Sequence, residues 1–135
     1  MNINSPEFNE RLQQLKDVAE KYFDSLRNRN FENIPYHEAA ALRAPLTPGG
    51  VNNPLHGKED IYDQWWKPLE PALQGVTINV LGHYFHEGLE GIITEATITL
   101  ASPSVTLRVA DRFTIDAEGK ITEQENHVDP REVTG

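Results

Sequence analysis

Apolar residues near the start of the chain recur at alternating steps of four and three, which places them on one face of an α-helix. This row consists of Phe8, Leu12, Leu15, Ala19, Tyr22 and Leu26. Ser5, Pro6 and Glu7 precede it and are typical of a helix start, because serine can cap the first turn, proline fits it and an acid favours the positive end of the helix dipole. The pattern predicts a first helix over residues 6–29.

The next part of the chain predicts shorter elements. We expect a second helix over residues 31–38, which contains a proline, and a short strand over residues 39–45. Residues 46–56 are rich in proline, glycine and asparagine and therefore predict a loop. A third helix is predicted over residues 57–73, with Pro68 as the point where it would break.

From residue 76 onward the pattern changes to period two, with many β-branched residues between turns that contain glycine or proline. Four strands are predicted, over residues 76–86, 92–101, 104–115 and 120–128. The connections between them are short enough for antiparallel hairpins. Helices followed by such a meander indicate an α+β fold, in which helices pack on one face of a curved antiparallel sheet.

Length and composition restrict the function classes. A chain of 135 residues fits a single domain, predicted over residues 1–135. Lys and Arg total 12 against 21 Asp and Glu, and a formal charge of −9 argues against nucleic acid and anionic membranes as partners. The absence of cysteine excludes disulfides and thiolate nucleophiles. With neither a leader pattern at the N-terminus nor a long apolar run, the expected location is the cytoplasm.

The third predicted strand carries a carboxylate in its apolar row. That row is Val105, Leu107, Val109, Asp111, Phe113 and Ile115. A buried carboxylate is costly unless it is paired, hydrogen-bonded or protonated, and a protonated aspartic acid is a hydrogen-bond donor. Asp111 is therefore a candidate functional group. The alternatives are a β-bulge that turns Asp111 outward, or a structural ion pair with Arg43, Arg108 or Arg112.

Tyr22 raises the same question in the first helix. It lies in the apolar row, yet its hydroxyl needs a hydrogen-bond partner when buried. Tyr22 is either a core residue or part of a site. If the first helix crosses the concave face of the sheet, Tyr22 and Asp111 point into the same interior.

Three segments carry a resemblance to a known family. They are KYFDSLRNRNFENI around Tyr22, HGKEDI at residues 56–61, and VAD ending at Asp111 and leading into FTIDAEGKITEQENHVDP. Over residues 15–130 their order and spacing resemble the ketosteroid isomerase and SnoaL-like polyketide cyclase branch of the nuclear transport factor 2-like superfamily. The resemblance implies a cystatin-like conical barrel, with N-terminal helices packed on a strongly curved antiparallel sheet around an apolar cavity.

The resemblance also implies roles for individual residues. Tyr22 and Asp111 match the tyrosine and the protonated aspartic acid that donate hydrogen bonds to a developing enolate oxygen in ketosteroid isomerase. Tyr36 and Trp65 match two tyrosines that support the first one through hydrogen bonds. One of these supports is altered in this chain, because an indole N–H can donate but cannot accept.

The family's general base does not carry over, because Ala44 occupies its position. Proton abstraction from carbon needs a basic group close to the transferred proton. We name three candidate replacements: His86 at the end of its strand, His56 in the loop and Asp129 after the last strand. His86 is placed near the cavity mouth on the inward side and is our choice for the catalytic role beside Tyr22 and Asp111.

The cavity is expected to bind a small apolar ligand whose carbonyl or hydroxyl meets Tyr22 and Asp111. Its expected lining is Tyr22, Leu42, Trp65, Val80, Tyr84, Ala96, Ile98, Asp111, Phe113, Gln124, Asn126 and Val128, with Tyr36 and Ala44 as further binding residues. One function is a cofactor-free isomerase, cyclase or lyase that forms an enol or enolate from a cyclic ketone or polyketide-like substrate. The other is a non-catalytic ligand-binding or accessory module. The resemblance implies a homodimer in either case.

Two other kinds of site are disfavoured. His83 and His86 are three residues apart on a predicted strand and so point to opposite faces, which argues against a shared metal ion. The epoxide-hydrolase branch of the superfamily bridges two aspartates with an arginine. Arg108 and Arg112 lie on the opposite face from Asp111 by the same alternation, so this arrangement is not expected either.

Overall fold

The structure, a computed structural model, describes residues 5–134; residues 1–4 and 135, at the ends of the predicted domain, lie outside this range. Helix α1 spans Pro6–Arg27, and the side chain of Ser5 caps it by accepting a hydrogen bond from the backbone N–H of Phe8 (3.1 Å). The predicted apolar row is on its buried side. The first helix is therefore confirmed, with an end slightly earlier than predicted.

The predicted second helix is wrong. The chain forms only a 3₁₀ turn at Phe31–Asn33 and then enters strand β1, Tyr36–Arg43. The proline at position 35 explains the difference, because a residue before proline is driven out of the helical region, and Ile34 is extended with ψ 125°. The carbonyl of Pro35 then accepts a hydrogen bond from the backbone N–H of Ile121, which fixes the chain beside the sheet.

The third helical region is present but irregular. It follows the two-residue strand β2, Leu55–His56. Its successive parts are α2 (Lys58–Ile61), a π-helical turn (Tyr62–Trp66), α3 (Lys67–Leu69) and a 3₁₀ turn (Glu70–Leu73). Pro68 and Pro71 lack the backbone N–H that a regular α-helix would need at these positions, which accounts for the changes of helix type.

The predicted sheet is confirmed. Its remaining strands are β3 (Thr77–Phe85), β4 (Gly91–Ala101), β5 (Ser104–Ile115) and β6 (Ile121–Val128), and a short helix α4 (Arg131–Thr134) follows. The strand order is β2-β1-β6-β5-β4-β3, in which β1 and β6 are parallel and the other pairs are antiparallel. Strands β2 and β3 are the two edges. The structure is thus α+β, with a curved sheet that does not close into a barrel.

A β-bulge in β3 changes which side chains face inward. Val80 pairs with Ala96, but Gly82 pairs with Glu95, so Leu81 is an extra residue and the alternation is inverted beyond it. The expected inward position of Tyr84 is therefore wrong. Tyr84 lies on the outer face, 56% exposed, and its hydroxyl donates to Glu95 Oε1 (3.1 Å).

Helix α1 packs across the inner face of the sheet and contacts β3 and β4. Tyr22 is central to this packing, because its ring makes edge contacts with Phe23 and Phe113 at centroid distances of 5.0 Å. Phe113 is fully buried and fills the space between α1 and β5. The interior is therefore solid core on one side of Tyr22, and the open space lies on the other side.

Candidate functional site

A cavity of about 460 Å³ lies between the irregular helical region and the inner face of β4, β5 and β6. Its walls are mainly apolar: Leu26, Leu46, Pro48, Trp65, Pro68, Leu69, Ala72, Leu73, Ile98, Leu100, Leu107, Val109, Val128 and Val133. The polar lining residues are Tyr22, Thr47, Gln64, Asp111 and Asn126. Among the residues that the structure describes, Asp111 is the one charged side chain in this lining. The cavity therefore suits an apolar molecule with few polar atoms.

Asp111 lies in β5 on the inner face of the sheet, opposite Asn126 of β6, and is 1% exposed. Its Oδ1 accepts two hydrogen bonds, from Gln124 Nε2 and from Asn126 Nδ2, both at 3.0 Å. Its Oδ2 is buried and has no hydrogen-bond partner. Because a buried polar atom without a partner is costly in a folded protein, this oxygen is a candidate contact for a ligand.

The two alternatives for Asp111 do not hold. β5 contains no bulge at this position, since Asp111 pairs in register with Thr94 on one side and Asn126 on the other. Arg112 instead points to the outer face, where its Nη2 lies 2.7 Å from Glu123 Oε1 and 3.3 Å from Glu125 Oε1. Within residues 5–134, Asp111 is thus a buried carboxyl that forms no ion pair with a cationic side chain.

Burial raises the pKa of Asp111 from 3.8 to about 6. The hydrogen bonds from Gln124 and Asn126 and the nearby His127 act in the opposite direction and limit this increase. At pH 7 the carboxyl is therefore mostly ionised and can accept a proton, whereas below pH 6 it is mostly protonated. The unpartnered oxygen can act as a proton acceptor at neutral pH.

Tyr22 reaches the same cavity from α1 and is 2% exposed. Its ring stacks on Trp65 with a centroid distance of 6.3 Å and an interplanar angle of 23°. Burial raises the pKa of Tyr22 well above its usual value, and the charges of Asp111 and Tyr36 add to this effect, while the nearby side-chain amide of Gln124 opposes it. The phenol therefore keeps its proton and can donate it in a hydrogen bond.

Tyr36 has a different partner from the one that the resemblance implied. Its hydroxyl donates to Gln124 Oε1, and Gln124 in turn donates to Asp111. All three side chains are buried. Tyr36 thus contacts the carboxyl through an amide, and in the described part of the chain it forms no hydrogen bond with Tyr22.

The structure places six of the expected lining residues at the cavity: Tyr22, Trp65, Ile98, Asp111, Asn126 and Val128. The other expected residues lie elsewhere. Seven of these residues are in the core or pack against it and do not line the cavity: Tyr36, Leu42, Ala44, Val80, Ala96, Phe113 and Gln124. They were expected in the lining because they face inward, but the interior is filled on the Phe113 side of Tyr22. Ala44 is 1% exposed, and its carbonyl accepts hydrogen bonds from Thr47.

His86 does not line the cavity, so its position differs from the expected one near the cavity mouth. It directly follows β3, where its backbone N–H donates to the carbonyl of Gly91 at the start of β4 (3.0 Å), whereas the cavity lies at the Ile98 end of β4. His86 is exposed, and its Nδ1 accepts a hydrogen bond from the backbone N–H of Gly88 (3.1 Å). Alternation along a strand indicates which face a side chain is on, but it does not indicate how far along the strand that side chain lies from the cavity.

The two other candidate bases also lie outside the cavity lining. His56 is an exposed residue of the edge strand β2. Asp129 is exposed and bonded to Arg131, which lowers its pKa to about 2 and makes it a poor proton acceptor. Asp111 is therefore the carboxyl or imidazole that a cavity ligand would meet in the described part of the chain.

Sequence reasoning missed the cavity-lining residues that come from the loop after β1 and from the C-terminal helix α4. Leu46, Thr47 and Pro48 come from the loop after β1, and Val133 comes from α4. Leu69 had a usable signal, because it lies four residues after Trp65 on the same helical face. The loop and the C-terminal residues have no periodic pattern that would have indicated their positions.

Metal-ligand clusters and membrane-spanning helices are both absent from residues 5–134. No group of three or more His, Asp or Glu side chains is arranged to hold a metal ion. No helix in this range is long and apolar enough to cross a membrane.

The comparisons with known proteins agree with this architecture. The model of the SnoaL-like domain matches residues 19–124. No curated protein matches significantly. The structure is similar to the epoxide hydrolase/cyclase-like enzyme SalBIII, which has a role in pyran ring formation in the polyether salinomycin. This match has 17% identity and a TM-score of 0.73, and covers 89% of this chain and 94% of SalBIII.

Two further solved structures are similar in fold. One is a steroid Δ-isomerase from Pseudomonas aeruginosa, with 16% identity, a TM-score of 0.63 and coverage of 87% of this chain and 80% of the isomerase. The other is a Mycobacterium tuberculosis protein in complex with estradiol-17β-hemisuccinate, with 9% identity, a TM-score of 0.67 and coverage of 88% and 96%. At these identities the likeness shows the shared fold.

Proposed function

The chain belongs to the SnoaL-like family, and from this premise we propose that it is a cofactor-free enzyme that forms an enolate from a small cyclic ketone or polyketide-like substrate. The observation that carries this proposal is the buried, unpartnered Oδ2 of Asp111 in an apolar cavity. Such an oxygen is stabilised when a ligand supplies a hydrogen-bond donor or an acidic C–H. The proposed enzyme is an isomerase, a cyclase or a lyase, depending on which reaction the enolate undergoes next.

We assign the role of base to Asp111, in place of the donor role that the resemblance implied. Its Oδ1 is occupied by two amide donors, which favour the ionised form, while Oδ2 faces the ligand. Asp111 takes the proton from the carbon beside the carbonyl. The electron pair of that C–H bond forms a C=C bond to the carbonyl carbon, and the π pair of the C=O bond moves onto the oxygen. Tyr22 donates a hydrogen bond to this oxygen. The proton then returns from Asp111 to the same carbon or to another one.

The cavity also indicates the charge of the ligand. Its lining contains no Lys, Arg or His among the described residues, so an anionic ligand would meet Asp111 without a compensating cation. The proposed substrate is therefore neutral and mostly apolar, with its carbonyl or hydroxyl at the end near Tyr22 and Asp111.

Binding to the cavity can be tested with a neutral bicyclic probe. We expect 2-naphthol to bind, because its hydroxyl can donate to Asp111 and its rings match the apolar walls. Ala72→Phe places a ring in the cavity and should weaken binding at least about tenfold by isothermal titration calorimetry. Ala117→Phe, in an exposed turn, is the matched control and should leave the affinity unchanged. Equal affinity in both variants would place the ligand elsewhere.

The second candidate function is a non-catalytic binding module. The absence of a second carboxyl or imidazole in the described cavity lining favours it, because Asp111 alone must both remove and return the proton. The two functions differ in one readout. A binding module holds a ketone such as 2-tetralone without accelerating the exchange of its α-protons with solvent, whereas the proposed enzyme accelerates that exchange.

We also propose that the protein is a homodimer in the cytoplasm. The outer face of β3 and β4 exposes Leu81, Tyr84 and Ile93, and this apolar patch supports a contact with a second copy. Ile93→Lys should convert the dimer to a monomer in size-exclusion chromatography with light scattering. The exposed loop variant Val51→Lys should remain dimeric. A monomeric wild-type protein at micromolar concentration would refute the dimer.

A further inference from the structure

We propose that Tyr36 is a positioning residue that fixes the side-chain amide of Gln124, so that the amide N–H and not its carbonyl faces Asp111. The inference deepens the proposed function and rests on it for its catalytic meaning. It is carried by a continuous chain of contacts: Tyr36 donates to Gln124 Oε1, and Gln124 Nε2 donates to Asp111 Oδ1 at 3.0 Å.

The direction of this chain depends on Tyr36. A glutamine amide has one oxygen that accepts and one nitrogen that donates, and rotation by 180° exchanges them. Gln124 is 0% exposed, so water does not compete for either end. A phenol hydroxyl can accept as well as donate, but Tyr36 here donates to Oε1, and in this arrangement the N–H group faces Asp111. In the rotated amide, Oε1 would lie against Asp111 Oδ1 and would repel a carboxylate.

Burial keeps the Tyr36 hydroxyl in its donating form. The pKa of Tyr36 is raised well above its usual value by burial, and the charge of Asp111 adds to this. Two other groups act on the same carboxyl, Asn126 and His127, both from β6, and the carboxyl in turn raises the pKa of Tyr22 in α1. Asn126 donates to Oδ1 directly and, in the structure of residues 5–134, is not hydrogen-bonded to Tyr36. The contribution of Tyr36 thus passes through Gln124 and can be separated from the others.

The orientation of the Gln124 amide affects how readily Asp111 accepts a proton during catalysis. An amide N–H on Oδ1 stabilises the ionised carboxyl, so that Asp111 is ready to accept a proton near neutral pH while Oδ2 stays free for the substrate. Without Tyr36, Gln124 can rotate and offer its oxygen to a protonated Asp111. The ionised form then loses part of its stabilisation.

The test is an NMR titration of the Asp111 carboxyl carbon in the protein without ligand, with Asp111→Asn used for assignment. We expect Tyr36→Phe to raise the pKa of Asp111 by about one unit. Tyr84→Phe is the matched control, because it removes a tyrosine hydroxyl bonded to Glu95 on the outer face, and it should leave this pKa unchanged. An unchanged pKa in Tyr36→Phe would overturn the inference.

A second variant covers the case in which Tyr36→Phe does not fold. Gln124→Glu keeps the acceptor for Tyr36 but places a carboxyl beside Asp111, and we expect the pair to titrate in two separate steps. A single step near pH 6 would contradict the contact between the two side chains. Because these titrations need neither ligand nor turnover, the inference can fail while the proposed enzyme activity holds, and the activity can fail while the inference holds.

Discussion

Asp111→Asn will lower the protein-accelerated exchange of the C1 protons of 2-tetralone in D₂O by at least about 100-fold, because it removes the general base. Asparagine has the same shape and can still accept hydrogen bonds from Gln124 and Asn126 through Oδ1. It cannot take a proton through the atom that replaces Oδ2. The exchange is followed by ¹H NMR at fixed protein and ketone concentrations, and ketone binding should persist in the variant.

A second variant, a control variant and the pH dependence of the exchange rate test whether Asp111 acts as the base. Tyr22→Phe should lower exchange by about 10- to 100-fold, since the carbonyl oxygen loses its donor. Asp129→Asn, an exposed residue outside the cavity lining, should have no effect. The wild-type rate should rise with pH around a midpoint near 6, because the ionised form of Asp111 is the base. Full exchange activity in Asp111→Asn would end the assignment of this residue.

The difference in the free energy of unfolding between Asp111→Asn and the wild type will shift in favour of the variant by about 3 kcal/mol between pH 3 and neutral pH. The folded-state pKa of Asp111 is raised from 3.8 to about 6. Folding therefore favours the protonated carboxyl, and its contribution is fully present below pH 3.8. It is lost as the pH rises to about 6 and beyond, where the carboxyl must be ionised in the core.

The measurement is the free energy of unfolding by urea for both proteins between pH 3 and pH 8. The other carboxyls titrate in both proteins, so they cancel in the difference. Asp129→Asn is the control with the opposite sign, because the bond to Arg131 lowers the pKa of Asp129. A difference between wild type and Asp111→Asn that does not change with pH would mean that the carboxyl is not buried as described.

The inward position of Asp111 could be predicted from the sequence because period-two alternation is local to one strand. β5 is regular, so counting from Leu107 to Phe113 gives the correct face. The same counting fails for Tyr84, since the bulge at Leu81 is a property of how β3 pairs with β4. A pattern within one strand contains no information on such pairing.

The position of the cavity could not be predicted from the sequence, for a related reason. Inward-facing residues define the interior, but their packed volume decides where it stays open. Phe113 and Tyr22 fill one side, which excludes Leu42 and Ala96 from the lining. The contact between Tyr36 and Gln124 joins residues 88 positions apart, and only the parallel pairing of β1 with β6 brings them together.

The helical errors have a backbone cause. The proline at position 35 was noted as an interruption, but its stronger effect is to start a strand. Pro68 was expected to break the third helix and instead lies in a region that changes helix type and still lines the cavity. A proline in the sequence restricts the backbone without specifying which allowed conformation the tertiary contacts select.

We propose that Asp111 Oδ2 is the atom that a cavity ligand meets. The most direct measurement is a crystal structure of the protein with 2-naphthol bound. We predict that the naphthol oxygen lies within about 3.2 Å of Asp111 Oδ2, with the rings between Trp65 and the inner face of β4 and β5. A naphthol oxygen bonded instead to Thr47 or Gln64, or to solvent, with Oδ2 still unpartnered, would contradict the account.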